Sequence, residues 1–507
     1  VLEDAELVDA LLPSVDAFCA RHVAARAIDA AARIDRRLLD GLAELGLFGL
    51  SIPTSHGGFG LPLVDICEVI AGLARHDRAL ATSVGLHLGL GTRGLVAFGS
   101  DALRDEWLPG LAAGARMAAF ATTEAGAGSD LGAIRTRAAL TGGRLRLDGE
   151  KIFVTNGGFA DVFTVTAATP DFGGRNRHSL VLLTRGDGLR SGAEEHKLGL
   201  RGSSTTTLHL DGVHVGVDRI VGVPGEGMGQ LAHVLAWGRT VMAAGCCGTA
   251  RAALDATLEH VAHRRQFART LLSMDVVRTQ LATMRARAFA ARAMVRQAAS
   301  ALDDETLAAL STSAKVFASE AAWSITDDAL QLHGGVGYVE ETGIALLLRD
   351  ARITRIFEGA NDVLRVHRGV VEATRPVSRT VLLLGRGEGP PQRPPDPSGP
   401  PADSHALAFP TLLAEAEAFH VEVRGLRDAL AKRWGARLLA RPALLHALGE
   451  AAILRDVTDA VVSAVRTDTD AALAELWIAE ARTRFASLSR SPADPRLLDR
   501  ALQEGAA

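Results

Sequence analysis

The stretch RIFEGANDVLR, residues 355–365, sets a glutamate directly before a glycine, between the apolar pair Ile356–Phe357 and a run of helical character. A carboxylate at such a turn has two readings. It can complement the N-terminal end of the following helix. It can also be a base facing a ligand, with Gly359 leaving room for that ligand. Four further groups of residues could do chemistry. ATTEAGAGSD, 121–130, offers the hydroxyls of Thr122, Thr123 and Ser129 on a backbone that its glycines open to close approach. EKIFVTNGG, 150–158, sets Phe153 and Thr155 two residues apart, so on a strand they share a face. A ring there can pack on a flat cofactor while the hydroxyl bonds its edge. HRRQFART, 263–270, and QLHGGVGYVEE, 331–341, carry clustered arginines and a glycine pair suited to phosphate. Each also has a plain reading: a loop, a strand running into a turn, cations at a helix C-terminus, a glycine-rich turn.

The elements that must position these groups follow from texture. Residues 1–117 read as helices, interrupted by the loop SIPTSHGGFGLP, with an apolar buried helix over 79–98. Residues 118–226 turn to short, alternating, β-branched segments punctuated by Gly, Asn and Asp, which predicts a β domain. Helical periodicity returns over 227–384 in three long segments that would bury themselves as a bundle. A Pro-rich linker, 385–405, leads to a helical extension, 406–507. There Phe419, Val423, Leu426 and Leu430 share one helix face. Arg424, Arg427, Lys432, Arg433, Arg437 and Arg441 make the opposite side basic.

Composition narrows the function classes. The chain has 507 residues, 48% hydrophobic and 22% charged, with a net charge of −4, so nothing electrostatic favours nucleic acid. No apolar run is long enough for a transmembrane helix and no secretion signal is visible. A cytoplasmic protein is expected, with peripheral contact to the inner membrane through the basic helix as an alternative. The four cysteines show neither metal nor disulfide spacing. His209 and His214 alternate along a strand without a third ligand nearby, so no metal is expected. His87, alone on an apolar segment, reads as a hydrogen-bonded core residue.

Taken together and in this order, the motifs resemble those of the acyl-CoA dehydrogenase family, whose N-terminal IPxxxGGxG loop is also matched by IPTSHGGFG. The resemblance covers about residues 1–375. The tail and RIFEGAND make the chain similar to the very-long-chain branch. The resemblance implies an α+β fold: an N-terminal helical domain, a central β domain, a C-terminal four-helix bundle and an extra helical domain. It implies FAD as cofactor, an acyl-CoA as substrate, an electron-transfer flavoprotein as acceptor, and a homodimer. It places Thr122 and Thr123 along the flavin edge, Ser129 near cofactor phosphate, and Phe153 and Thr155 against the isoalloxazine. Arg264 and Phe267 would reach the partner's FAD, and Gln331, Gly334 and Gly335 its pyrophosphate and adenosine region. Gly85 and Gly89 would floor the acyl pocket, Arg239 would support its wall, and Gly359 would leave room for substrate.

Glu358 matches the family's catalytic base. Removing the weakly acidic α proton of a thioester requires a desolvated carboxylate and a polarised carbonyl. One branch carries its base just before an Arg on the first bundle helix, where this chain has Gly238. Three positions depart from the usual pattern: Phe153 for Trp, Ala360 for Thr, and Ala268 for Gly, the last expected to shift its turn. Three other readings stay open: a scaffold or assembly factor of the same fold, an acyl-carrier-protein thioester dehydrogenase, and a flavin oxidase.

Overall fold

The structure, a computed structural model, describes residues 4–173, 177–375 and 410–490. The Pro-rich linker expected over 385–405 lies outside the described residues. The chain forms two compact units, one of residues up to 261 with 322–359, the other of 262–321 with 360 onward.

The first unit opens with helices α1 (Asp4–His22), α2 (Ala25–Ala31), α3 (Arg36–Glu44), α4 (Leu63–His76), α5 (Arg78–Leu86), α6 (Thr92–Phe98) and α7 (Asp101–Ala112). Three of them start where a side chain accepts an otherwise orphaned N–H. Asp35 caps α3, Asp77 caps α5 and Ser100 caps α7. The apolar helix expected over 79–98 is present but not regular. A π-helical turn, His87–Gly91, separates α5 from α6. The IPTSHGGFG loop folds back on itself, with the N–H groups of Phe59 and Gly60 bonding the carbonyls of Gly49 and Ile52 at 2.9 and 2.8 Å. A β-carbon at Gly58 would overlap the Ile52 carbonyl.

The sheet follows: β1 (Ala118–Ala121), β2 (Arg137–Thr141), β3 (Arg144–Thr155), β4 (Val162–Ala168), β5 (His178–Thr184), β6 (Arg190–Glu194), β7 (Thr205–Gly216) and β8 (Ile220–Val221). Its order is β6-β7-β3-β2-β4-β5-β8, with β1 parallel to β4. Alternation on β3 buries Leu145 and Leu147 and exposes Arg144 and Arg146. Strand β4 is buried on both faces because it serves two cores. Phe163 and Val165 pack with Leu145, Val181 and Leu208, whereas Val162 packs with Leu95, Leu108 and Leu180 on the helical side.

Helix α8 (Gly227–His263) is buried on nearly every face in its first half. Small residues let α4 and α5 come close: Gly245 accommodates Arg78, whose guanidinium donates to the Met242 carbonyl at 3.1 Å, and Gly248 faces Ala71 and Ala74. Cys246 is buried in this packing, 3.8 Å from the Arg78 guanidinium. Then come the hairpin strands β9 (Arg265–Gln266) and β10 (Arg269–Thr270), and helices α9 (Asp275–Ala299), α10 (Asp304–His333), α11 (Gly335–Tyr338), α12 (Ile344–Ile353) and α13 (Asn361–Thr374). The extension supplies α14 (Pro410–Trp434), α15 (Pro442–Ala464) and α16 (Asp468–Arg490).

In the second unit α15 is the central element. Residues Leu448–Val461 are buried throughout. Gly369 of α13 and Gly449 of α15 face each other's helix so closely that a β-carbon at either would overlap backbone. Buried charges line this contact: Asp456 pairs with Arg368 at 2.9 Å and Arg455 at 3.0 Å, and Arg455 with Glu372 at 2.7 Å. Such groups persist only when each has a partner. Of the stripe expected on α14, Phe419 and Val423 are fully buried, with Leu426 and Leu430 half-buried. The basic face needs two corrections: α14 ends at Trp434, so Arg437 and Arg441 lie beyond it, and Arg427 does not face outward. Arg427 is turned into the packing, where it pairs with Asp428 at 2.7 Å, because it follows Phe419 and Val423 at intervals of four.

Candidate active site

Glu358 lies in the turn after α12, with a φ of 54°, and Gly359 follows at 101°. A glutamate in the left-handed region is strained by about 1 kcal/mol or more and needs to be held. Arg239, projecting from α8, holds it: its Nε donates to the Glu358 carbonyl at 3.0 Å. Burial pulls the Arg239 guanidinium below its usual pKa, and the Glu358 charge opposes that pull. One residue earlier, Gly238 is buried, and a β-carbon there would sit 3.2 Å from Glu358 Oε2 and overlap Leu90. The two positions at which sequence reasoning sought a base therefore converge on one point.

Gly85 and Gly89 lie opposite α8. A β-carbon at Gly85 would meet Val241 Cγ1 at 3.2 Å, and one at Gly89 would meet the Gly238 Cα at 3.4 Å. Their absent side chains let the segment containing α5 and the π turn approach α8 closely. His87 is fully buried, and its Nδ1 accepts from the Ala118 N–H at 3.1 Å. Burial lowers its pKa to about 4, so the ring is neutral near pH 7.

Phe153 and Thr155 project from one side of β3 while Val154 is buried. A register shift between Lys151 and Val154 marks a bulge, at which Phe153 takes a φ of 57° and stands exposed. The 121–130 loop is fastened to this strand. The Ile152 N–H bonds the Thr123 carbonyl at 2.9 Å, and the Thr122 hydroxyl meets that of Thr166 at 2.7 Å. Ser129 is exposed at the loop's end.

Sequence reasoning missed the group that fastens the loop. Lys151 is fully buried, and its Nζ reaches Glu124 Oε1 at 2.7 Å and the Thr122 carbonyl at 3.0 Å. Glu124 also accepts from the N–H groups of Arg135 and Thr136 at 2.7 and 2.9 Å. Burial lowers the Lys151 pKa to about 8 against the opposing pull of Glu124. Glu124 is held at about 2 because its hydrogen bonds outweigh its burial. The signal was present: Lys151 is in phase with Leu145 and Leu147, and a lysine on a buried face needs a carboxylate. Asn156 was also missed. It is fully buried at a φ of 63°, and its Nδ2 donates to the carbonyls of Ser83 and Ala118 at 3.0 and 3.3 Å.

Gln331, Gly334 and Gly335 lie at the α10–α11 junction of the first unit. All three are exposed, with Gly334 at a φ of 65°. Arg264 and Phe267 belong to the second unit. Phe267 and Ala268 form the two-residue turn of the β9–β10 hairpin, both with positive φ, 50° and 63°, and Phe267 is 88% exposed. Ala268 thus takes a left-handed conformation that a glycine would adopt more readily.

Comparisons with known proteins agree with this layout. Residues 6–115, 119–213 and 225–369 match the family models described as the acyl-CoA dehydrogenase N-terminal, middle and C-terminal domains. The chain is 35% identical over 351 residues to the human mitochondrial very long-chain specific acyl-CoA dehydrogenase, an alignment covering 67% of this chain and 53% of that protein. It thus spans about half the length of the curated relatives it matches first. It is 36% identical over 363 residues to the probable acyl-CoA dehydrogenase FadE25 of Mycobacterium tuberculosis, covering 71% and 93%. A crystal structure of an acyl-CoA dehydrogenase complexed with FAD, from Bacillus anthracis, is similar with a TM-score of 0.82 at 26% identity. That likeness covers 95% of this chain and 86% of that one. It therefore reaches into the C-terminal extension. On these matches, carried by all three domains in order, the chain belongs to the acyl-CoA dehydrogenase family.

Proposed function

We propose that the protein is an FAD-dependent dehydrogenase that converts a saturated acyl thioester, an acyl-CoA of medium to long chain, to the trans-2-enoyl thioester. The observation that carries this reading is the Glu358 carboxylate set against Gly238, on a left-handed turn whose carbonyl is fixed by Arg239.

The residues of the β domain fit the cofactor. Phe153 offers an exposed ring and Thr155 a hydroxyl on the same side of β3, beside a loop in which β-carbons at Gly126 and Gly128 would meet nothing within 4 Å. Thr122, Thr123 and Ser129 would border that surface, Thr122 with its side chain buried against Thr166, and the Lys151–Glu124 pair keeps loop and strand in register. Arg264, Phe267, Gln331, Gly334 and Gly335 would hold the remainder of FAD across a homodimer. When bound, FAD supplies the acceptor for the hydride leaving C3, chemistry that no amino-acid side chain offers.

The chain's own residues do the rest. Glu358 takes the proton from C2 of the thioester. Its backbone N–H donates to the thioester carbonyl oxygen and so stabilises the negative charge that develops there. Gly359 keeps that approach open, and Arg239 fixes the turn. An electron-transfer flavoprotein is the proposed acceptor of the electrons. Peripheral membrane contact is proposed for the basic end of α14 and the turn after it, where Arg433 and Arg441 stack on Trp434 at 5.5 and 4.3 Å. Among the described residues, no helix is long and apolar enough to cross a membrane.

Anaerobic addition of acyl-CoA thioesters of increasing length to the flavin-loaded protein tests the reading. Bleaching of the flavin without any added acceptor is expected. A flavin that stays oxidised with every chain length would overturn it.

A further inference from the structure

We infer that Leu90 is a specificity-determining residue that limits the substrate to thioesters unbranched at C2. The inference rests on the function proposed above and narrows its substrate class.

The proton to be removed must sit against the Glu358 carboxylate. On the side of Gly238 the structure leaves little space for anything beside it. A single β-carbon added at Gly238 would lie 3.2 Å from Glu358 Oε2 and already overlap the Leu90 side chain. A methyl branch on C2, presented to the same carboxylate, has the size of that β-carbon and meets the same wall.

Leu90 is not free to move aside. It is 7% exposed and packs with Phe120, Leu231 and Val234. Its backbone belongs to the π-helical turn His87–Gly91, where one extra residue per turn re-aims the side chains that follow. That turn is fastened on several sides. His87 Nδ1 accepts from the Ala118 N–H at 3.1 Å, and the Leu88 carbonyl accepts from the hydroxyls of Ser51 and Thr92, each at 3.2 Å. A β-carbon at Gly91 would meet that of Ala118 at 2.7 Å. The ring of His87 stays neutral near pH 7, so its acceptor role persists there. A methyl group at a rigid apolar wall is worth about 10- to 200-fold in discrimination.

The test compares a straight-chain acyl-CoA with its racemic 2-methyl homologue on flavin-loaded wild type, Leu90→Val and Leu90→Ala, by rate of anaerobic flavin bleaching. In wild type, the 2-methyl thioester is expected to react about 100-fold more slowly. Leu90→Ala should narrow that ratio at least about 10-fold, mainly by speeding the branched thioester, and Leu90→Val should fall between. Equal rates for the two thioesters in wild type would overturn the inference while leaving the proposed function standing. That comparison needs no variant, so it decides even if Leu90→Ala does not fold. A ratio unchanged in folded Leu90→Ala would also overturn it. Bleaching by neither thioester would overturn the function and the inference together.

Discussion

Arg239 Nε donates to the Glu358 carbonyl at 3.0 Å, so a helix side chain fixes the backbone of the proposed base. The contact helps to keep the residue at a φ of 54°. A hydrogen bond from a charged donor contributes about 1.5–3 kcal/mol. Arg239→Ala is therefore expected to slow flavin bleaching by about 10- to 100-fold with flavin still bound. Arg239→Lys, which keeps the charge but not the planar donor, should lie between. Stopped-flow absorbance measures both, and an unchanged rate in Arg239→Ala would remove its positioning role.

Lys151 and Glu124 form a buried pair beneath the proposed flavin surface. Removing one partner leaves the other charge buried and unmatched, at a cost of about 3–5 kcal/mol. Lys151→Met should lower the melting temperature markedly and weaken flavin retention, whereas Lys151→Met with Glu124→Gln should recover much of the stability. Calorimetry of the single and double variants reports the coupling. Additive losses would show that the pair is not a unit.

Much of this layout was legible in the sequence, but not all of it for the same reason. The β domain announced itself through alternation, and the N-terminal helices through their apolar period, because these patterns follow from local geometry. Taken alone Glu358 was legible as a residue at a turn, and only the resemblance marked it as the base. Its left-handed backbone and the Arg239 contact arise from residues 119 positions apart in the chain. The π turn was not legible, since HLGLG is apolar on every face whether the helix is regular or widened. Arg427 misled because a charge is expected outside, and its place on a buried face is set by the neighbouring helices.

Asp350 accepts the Leu200 N–H at 2.6 Å inside the first unit. Burial, with smaller contributions from the charges of Asp77 and Asp29, pushes its pKa up to about 7. Between the ordinary carboxylate value and 7 the folded state holds the extra proton, so stability declines as pH rises through that window. Asp350→Asn keeps an acceptor and has no charge. Its melting temperature relative to wild type should rise between pH 4 and 7 and then level off. A difference independent of pH would contradict this.

Helix α15 supplies the partners of Arg365 and Arg368, through Glu450 at 2.6 Å and Asp456 at 2.9 Å. Ending the chain after residue 385 removes α14 to α16 and uncovers this surface. Light scattering should then report tetramers or aggregates. The proposed homodimer persisting unchanged after truncation would refute the role of the extension as a cover. Asp456→Ala in the full chain should cost about 3–5 kcal/mol, because two guanidinium groups lose their shared carboxylate.

The most direct measurement is the anaerobic rate of flavin bleaching in Glu358→Gln, which keeps the shape of the side chain and cannot accept a proton at neutral pH. The variant is expected to retain flavin and to bind thioester. Its bleaching should be slower than wild type by about two to four powers of ten, the usual contribution of a positioned base. A rate close to wild type, with flavin and thioester bound, would show that Glu358 does not take the proton.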